Sequence, residues 1–242
     1  MSLLNYKLRD SVLMIEFRDP NSRNSFSIRA AEEFREIWES KRDTYESILF
    51  TAPGRVFCSG GNLADYAAMT AADPGRDVNK RISQILDEFS RLQIPTVCMV
   101  TGDCLGGGLE LISAFDVVLS SPHALYGFWQ RKIALTFGWG GGRRLEKRVG
   151  SKHLTKMALS ASTFGAVEAL RIGLVDAVCT EALLFEEALT RIRQLKELPN
   201  GPVEALKNWE PEAEQQTFEK LWWSDEHRAA LSKNKNRKPR GK

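Results

Sequence analysis

The chain has 242 residues, of which 43% are hydrophobic and 27% are charged, and its formal net charge is only +3. This length and composition suit one large globular domain, or a domain with an appendage, and they argue against a chain that is disordered throughout. Residues 1–10 lack the basic region and apolar stretch of a secretory leader, and no apolar run approaches the roughly 18 residues of a membrane span. We therefore expect a cytoplasmic protein with no membrane partner.

Histidine and cysteine spacing argues against a metal site. The three histidines are not paired at metal-ligand spacing, and the cysteines show neither CxxC spacing nor the density of a disulfide scaffold. The cysteines are Cys58, Cys98, Cys104 and Cys179. We predict reduced thiols and no metal.

The first part of the chain predicts alternating strands and helices. Residues 12–17 (VLMIEF) alternate as a strand, and Ser27 has the character of a helix N-cap. Residues 47–51 (SILFT) predict a short buried strand. After the polar stretch TAADPGRD, Asp77 is expected to cap a second amphipathic helix, which Pro95 stops from continuing. Apolar residues at helical spacing mark the buried face of each helix: Ala30, Phe34, Ile37 and Trp38 in the first, and Val78, Ile82, Ile85, Phe89 and Leu92 in the second.

The same alternation continues to the middle of the chain and then becomes helical. Residues 96–100 predict a strand, 109–115 a helix and 116–121 another strand, which together indicate an α/β protein. Short helices are expected at 143–150, 151–159 and 166–173, followed by a strand at 174–178. Beyond Thr180 the pattern is helical, with one helix over 216–231 and an earlier one whose face carries Phe185, Leu189, Ile192 and Leu195. We predict an α/β core over residues 1–180 and a helical region over 181–242.

A run of three glycines stands where a helix is expected to begin, in GDCLGGGLEL (residues 102–111). Glycine costs about 0.5 to 1 kcal/mol relative to alanine inside regular structure. A dinucleotide-binding GxGxxG does not fit, because Leu111 occupies the third glycine position, and a P-loop lysine is missing. Bare N–H groups at a helix start suit an oxyanion instead. The turn CSGGN (residues 58–62) also follows a predicted strand and supplies a second set of such groups.

Five motifs in register resemble those of the crotonase superfamily, the enoyl-CoA hydratase/isomerase family. They are RNSFS (23–27), GRVFCSGGNL (54–63), VTGDCLGGGLEL (100–111), GWGGGRRL (138–145) and ALRIGLVDAV (169–178). Residues 237–239 (RKP) are similar to the family's C-terminus. The resemblance implies a crotonase-like spiral of ββα units with a helical C-terminal region used for oligomerisation, as a homotrimer or a dimer of trimers. It also implies acyl-CoA thioester substrates and no cofactor beyond the coenzyme A of the substrate.

The resemblance carries specific site residues onto this chain. The thioester oxygen would lie between the N–H groups of Gly61 and Gly107, and Glu110 matches the first of the two glutamates that hydratases of the family use. The alternative for Glu110 is a first-turn glutamate that complements the helix dipole. The residues implied to lie near coenzyme A are Arg23, Ser59, Gly60, Asn62 and Leu63. Asn62 stands where the family usually has aspartate, and it keeps a capping oxygen without the charge.

The second family glutamate is replaced by Gln130. An amide does not exchange protons near neutral pH, and the loss of an acid or base costs about a hundredfold to ten-thousandfold in rate. We therefore expect isomerisation or decarboxylation rather than hydration. The alternatives are a hydratase with a compensated second acid and a non-catalytic acyl-CoA-binding or RNA-binding protein. The basic tail at residues 233–242 is the feature that favours RNA, but nucleic acid is not our expected partner.

Two tryptophans stand where smaller residues are common in the family, Trp129 and Trp139. Either they narrow the acyl pocket toward short or branched acyl groups, or they are plain core residues. The WGG sequence at residues 139–141 and the absence of glutamate at position 130 are similar to decarboxylating members of the family. Loss of carbon dioxide from a malonyl-type thioester generates the enolate directly, so an oxyanion site matters more for this reaction than a second acid.

Overall fold

The computed structural model describes residues 2–207 and 209–234. In chain order its strands are β1 Leu4–Arg9, β2 Val12–Phe17, β3 Ser47–Thr51, β4 Val56–Cys58, β5 Thr96–Val100, β6 Asp103–Leu105, β7 Val117–Ser120, β8 Leu125–Gly127, β9 Thr163–Gly165 and β10 Ala177–Val178. Its α-helices are α1 Ile28–Ser40, α2 Leu63–Ala67, α3 Ala72–Ser90, α4 Gly107–Ile112, α5 Gly141–Ser160, α6 Ala166–Arg171, α7 Glu181–Lys196, α8 Val203–Lys207, α9 Glu214–Trp222 and α10 Asp225–Asn234. A 3₁₀ helix, Trp129–Ile133, lies between β8 and α5.

The strands form two sheets that the chain visits in turn. The larger has six strands in the order β1-β2-β3-β5-β7-β10, with β1 and β2 antiparallel and the later neighbours parallel. The smaller has four, in the order β4-β6-β8-β9, with only the β8–β9 pair antiparallel. Each of β3, β5 and β7 leads into a short strand of the smaller sheet and then into helical structure. This repeat is the predicted spiral of ββα units, and the predicted α/β fold class is confirmed.

Aromatic packing joins the first helices to the larger sheet. Phe34 on α1 lies 5.4 Å from Phe50 on β3 and 4.8 Å from Phe89 on α3, measured between ring centroids. Phe115 packs against both Phe50 and Phe89. All four rings are buried, and full burial of a side chain of this kind contributes about 1.5 to 3 kcal/mol. The packing joins α1 and α3 to β3, from which the chain continues toward the first glycine-rich turn.

The opposite face of the larger sheet is covered by α7. Its buried residues are Leu184, Ala188 and Ile192, which pack against alternate strand residues such as Leu49 and Val97. The predicted buried face is confirmed in part, because Ile192 is buried and Phe185, although only partly buried, packs against the same cluster. The buried residues Leu184 and Ala188 were not predicted. Ala188 is fully buried there, but its small side chain adds little to a hydrophobic pattern, so the pattern did not identify it.

Several predicted helix boundaries are confirmed and others are wrong. Ser27 caps α1 by accepting a hydrogen bond from Ala30 N at 3.2 Å, as predicted. Asp77 does not cap the second helix, because α3 already begins at Ala72. Pro74 is tolerated there, since the first N–H groups of a helix have no partner within it. The break expected between residues 150 and 151 is present, because Gly150 has φ 74° and ψ 156° inside α5.

The C-terminal part differs from the prediction in one respect. The single helix expected over residues 216–231 is two helices, because α9 ends at Trp222 and Ser224 accepts a hydrogen bond from His227 N at the start of α10.

Lys207 on α8 connects the C-terminal part to the core, because its Nζ donates to Leu92 O at 2.6 Å and pairs with Asp116 at 2.8 Å. The division near residue 180 and the oligomerisation role stay predictions. Residues 235–242, with most of the basic tail and the RKP sequence, lie outside the described residues.

The described residues contain neither a helix that could span a membrane nor a cluster of metal-ligand side chains. None of the helices within residues 2–207 and 209–234 combines the length and apolar character needed to cross a bilayer. The same residues contain no group of three or more histidine, cysteine, aspartate or glutamate side chains arranged to hold a metal ion.

Candidate active site

The two glycine-rich turns identified in the sequence are in direct backbone contact. Gly60 follows β4 with φ +96°, and Gly106 follows β6 with φ +55°. A Cβ placed on Gly60 would lie 2.9 Å from Gly107 N and 3.2 Å from Leu105 O. Such contacts exclude any side chain at Gly60, since the neighbouring atoms are backbone and cannot move aside cheaply. The glycines thus let two distant turns meet.

The N–H groups of Gly61 and Gly107 come from these adjoining turns, and both glycines line one cavity of about 320 Å³. Neither N–H has a hydrogen-bond partner within residues 2–207 and 209–234. Gly107 is the first residue of α4, where a helix leaves its N–H groups unsatisfied. Larger cavities, of about 540, 700 and 820 Å³, lie elsewhere on the described surface, but neither of these turns lines them.

The first turn is supported by the segment before α1. Phe26 N donates to Gly60 O at 2.8 Å, and Ser59 N donates to Arg23 O at 3.2 Å. Arg23 itself has an exposed side chain beside the turn. Asn62 caps α2 by accepting hydrogen bonds from Ala64 N at 3.0 Å and Asp65 N at 3.4 Å, as the sequence predicts. The structure therefore brings the residues implied for coenzyme A together around one turn.

Glu110 is buried beneath the cavity, with 2% of its surface exposed. Its Oε1 accepts hydrogen bonds from Gln130 Nε2 at 3.1 Å and Gly138 N at 3.3 Å. Its Oε2 accepts from Trp139 N at 2.9 Å and Gly141 N at 3.0 Å. Each carboxylate oxygen thus already has two donors. Glu110 anchors the turn at residues 138–141, and any proton transfer by this side chain competes with those four bonds.

The approach of Glu110 to that turn depends on a further glycine. A Cβ on Gly141 would lie 2.8 Å from Glu110 Oε2, so a larger residue would push the carboxylate away from the start of α5. Buried Arg144 holds the same turn by donating to Trp139 O at 2.7 Å, and it pairs with Asp87. Burial is the main cause that lowers the pKa of Arg144, while the charges of Asp87 and Glu110 oppose the decrease.

Gln130 lies at the end of the same hydrogen-bond network, with 9% of its surface exposed. Its Nε2 must face Glu110, because the amide oxygen would repel the carboxylate. This orientation leaves Gln130 Oε1 buried with no hydrogen-bond partner among the described residues. The side chain therefore presents an acceptor, not an acid, beside the cavity it lines.

Two further cavity residues, Tyr66 and Asn79, were not identified from the sequence, and Asn79 links Tyr66 to Trp139. The Trp139 ring covers Gly107, and its Nε1 donates to Asn79 Oδ1 at 2.8 Å. Tyr66 Oη donates to the same oxygen at 3.2 Å. Burial raises the pKa of Tyr66, and the charge of Glu110 adds to the increase. Tyr66 and Asn79 carry no local motif, so only their approach in the fold reveals them.

The outer wall of the cavity carries Trp129 and Lys132. Lys132 Nζ lies 3.7 Å from the centroid of the Trp129 ring, a cation–π contact. Of the described residues that line this cavity, Lys132 alone has a positively charged side chain. Both tryptophans considered in the sequence therefore line the cavity, and Trp139 is in addition almost fully buried.

The cysteines take no part in the cavity wall. Cys58, Cys98 and Cys104 are buried free thiols, while Cys179 is partly exposed. Burial raises the pKa of Cys58 to about 12, and its Sγ accepts a hydrogen bond from Gly60 N at 3.5 Å. A neutral thiol in this position supports the glycine turn and is a poor nucleophile.

These features define a ββα-spiral protein whose cavity is built between two glycine turns and a buried glutamate. The sequence model of the enoyl-CoA hydratase/isomerase family matches residues 7–233, so the chain belongs to that family.

Comparison with individual proteins agrees with the family. The chain is 32% identical over 155 residues to human mitochondrial methylglutaconyl-CoA hydratase, covering 62% of this chain and 44% of that protein. It is 27% identical over 210 residues to rat ethylmalonyl-CoA decarboxylase, covering 83% and 69%. The crystal structure of an enoyl-CoA hydratase from Bacillus anthracis superposes with a TM-score of 0.86 at 22% identity, over 99% of this chain and 98% of that one. The matched region spans less than half of the hydratase relative.

Proposed function

We propose that this protein is an acyl-CoA enzyme that stabilises a thioester enolate with the N–H groups of Gly61 and Gly107. The observation that carries the proposal is the contact between the two glycine turns, each with an N–H that has no partner in the described chain. Donors held in place before the reaction stabilise developing charge without reorganisation, and one donor typically contributes about 3 to 4 kcal/mol. Family membership supports acyl-CoA thioesters as the substrates.

The coenzyme A moiety would bind along the outer side of the first turn. Arg23 is exposed there, and a guanidinium pairs well with a phosphate group. Leu63, which is 55% exposed and lines the cavity, would contact the pantetheine chain. Ser59, Gly60 and Asn62 shape the turn itself.

Within this chemistry we favour decarboxylation or isomerisation over hydration. Hydration requires one group to activate water and another to protonate carbon. Gln130 is an amide, and the oxygens of Glu110 already accept four hydrogen bonds. Decarboxylation requires neither group to act as a base, because the departing carbon dioxide leaves its electron pair in the enolate.

A carboxylate-bearing acyl group is favoured by the position of Lys132. The ammonium group lies at the cavity wall and is the sole positive charge among the described lining residues. Methylglutaconyl and ethylmalonyl, the acyl groups in the names of the two relatives, both carry a free carboxylate. We therefore place a malonyl-type acyl-CoA first among the substrates, and a 3-enoyl-CoA second.

Turnover of a small substrate panel in deuterated water tests the proposed function. The panel contains crotonyl-CoA, a 3-enoyl-CoA, methylmalonyl-CoA and ethylmalonyl-CoA, and mass spectrometry follows the products. We expect loss of carbon dioxide with incorporation of one deuteron at the α-carbon. Double-bond movement without decarboxylation would retain the enolate and overturn the substrate preference. Hydration of crotonyl-CoA as the fastest reaction, or neither turnover nor α-exchange, would contradict the proposal.

Lys132→Gln is expected to raise KM for the malonyl-type substrate about fivefold to tenfold, because it removes a charge-assisted contact at a partly hydrated wall. Lys132→Arg is the matched control, since arginine keeps both the charge and the contact with Trp129. Initial rates over a range of substrate concentrations measure the effect. If Gln and Arg variants have the same KM, Lys132 does not bind the acyl carboxylate.

A further inference from the structure

The hydroxyl group of Tyr66 lies beside one of the two glycine donors. A Cβ placed on Gly61 would be 2.7 Å from Tyr66 Cε2 and 3.0 Å from Tyr66 Oη. The ring therefore rests directly on Gly61 at the cavity wall. Asn62 fixes this position, because it caps α2 and its carbonyl accepts a hydrogen bond from Tyr66 N at 3.1 Å.

An enolate bound at Gly61 and Gly107 has to receive a proton on carbon, and few of the described residues that line the cavity can supply one. Gln130 and Asn79 are amides and are not acids. Glu110 accepts four hydrogen bonds from N–H donors. Lys132 is held at the outer wall over Trp129. Tyr66 combines an ionisable O–H with a position against a donor glycine.

Tyr66 Oη borders the site that we propose for the thioester oxygen. A thioester oxygen that binds the Gly61 N–H has its α-carbon two bonds away. Since Tyr66 Oη borders the same glycine, an α-carbon bound in this way would lie close to the hydroxyl group. We propose that Tyr66 is a catalytic residue, the acid that protonates the α-carbon of the enolate. This inference rests on the proposed function.

For a malonyl-type thioester the step balances as follows. The bond between the α-carbon and the carboxylate breaks, carbon dioxide leaves, and the electron pair enters the enolate. The pair then forms a C–H bond with the proton of Tyr66 Oη while the thioester C=O is restored. The resulting phenolate takes a proton from solvent water. No oxidant, reductant or other reactant is consumed.

The surroundings of Tyr66 suit this task. Burial raises the pKa of the hydroxyl group, so the phenol is neutral and carries its proton in the resting enzyme. Asn79 is a positioning residue: its Oδ1 accepts from both Tyr66 and Trp139, while its Nδ2 donates to Gly75 O at 2.7 Å. The hydroxyl proton needs only rotation about the Cζ–Oη bond to turn from Asn79 toward the substrate.

Tyr66→Phe tests the proposal with ethylmalonyl-CoA in deuterated water. We expect turnover to fall about a hundredfold, which is the usual cost of losing an acid, with butyryl-CoA affinity and thermal stability nearly unchanged. We also expect the α-deuteron of the product, placed on one face by the wild type, to be distributed over both faces. Tyr45→Phe is the matched control, because Tyr45 is a buried tyrosine whose hydroxyl donates to Trp38 O away from the cavity.

The possible outcomes separate the two proposals. A Tyr66→Phe enzyme that keeps the wild-type rate and product stereochemistry overturns the role of Tyr66 while leaving the enolate chemistry intact. The same holds if the rate falls only in proportion to weaker butyryl-CoA binding or to unfolding, since Tyr66 is then a wall residue. A wild-type enzyme that does not release carbon dioxide, does not move the double bond of a 3-enoyl-CoA and does not exchange the α-hydrogens of butyryl-CoA overturns the proposed function itself.

Discussion

Gly107→Pro is expected to lower kcat about a hundredfold to a thousandfold, because proline removes the N–H group that we assign to the enolate oxygen. Proline is acceptable to the backbone at this position, since Gly107 is the first residue of α4. Steady-state turnover of the substrate identified by the panel measures the loss. Circular dichroism and thermal unfolding establish that the variant is folded.

Gly107→Ala is the control that separates the hydrogen bond from steric effects. A Cβ at this position meets the Trp139 ring in both variants, but alanine keeps the N–H group. We expect alanine to cost much less than proline, and the ratio of the two kcat values isolates the donor. Equal losses would show that displacement of Trp139 causes the effect and would remove the principal support for an oxyanion site.

Glu110→Gln is expected to affect both stability and turnover. An amide has one oxygen, so two of the four donors that now face the carboxylate would face an NH₂ group. Leaving buried donors without acceptors costs about 1 to 3 kcal/mol. We expect turnover to fall about a hundredfold as well, because the turn that holds Trp139 against Gly107 loses its anchor, and any proton transfer by Glu110 is lost.

Urea unfolding and activity per folded enzyme measure the two effects of Glu110→Gln separately. Glu146→Gln is the matched control, since Glu146 lies on α5 with an exposed side chain. Lost turnover with unchanged stability would contradict the anchoring role. Lost stability with full activity per folded molecule would instead exclude Glu110 from the chemistry.

The sequence correctly predicted the structural features that depend on a single residue and its immediate neighbours. Ser27 caps α1 and Gly150 interrupts α5 as predicted, because capping and left-handed backbone are properties of one residue and its neighbours. The glycine run at residues 106–108 likewise identified a helix start with free N–H groups. None of the three-residue strands of the smaller sheet was predicted, since three residues show no usable periodicity.

By itself, the sequence determined the fold class, the two glycine turns and the replacement of the second family glutamate by Gln130. Only the tertiary structure decided what surrounds them. Glu110 meets backbone donors about thirty residues away, which no spacing rule relates to it. Tyr66 reaches Gly61 because Asn62 starts α2 and turns the ring back onto the glycine. A periodic pattern reports which face of an element is buried, but contacts between backbone and distant side chains depend on how the elements pack.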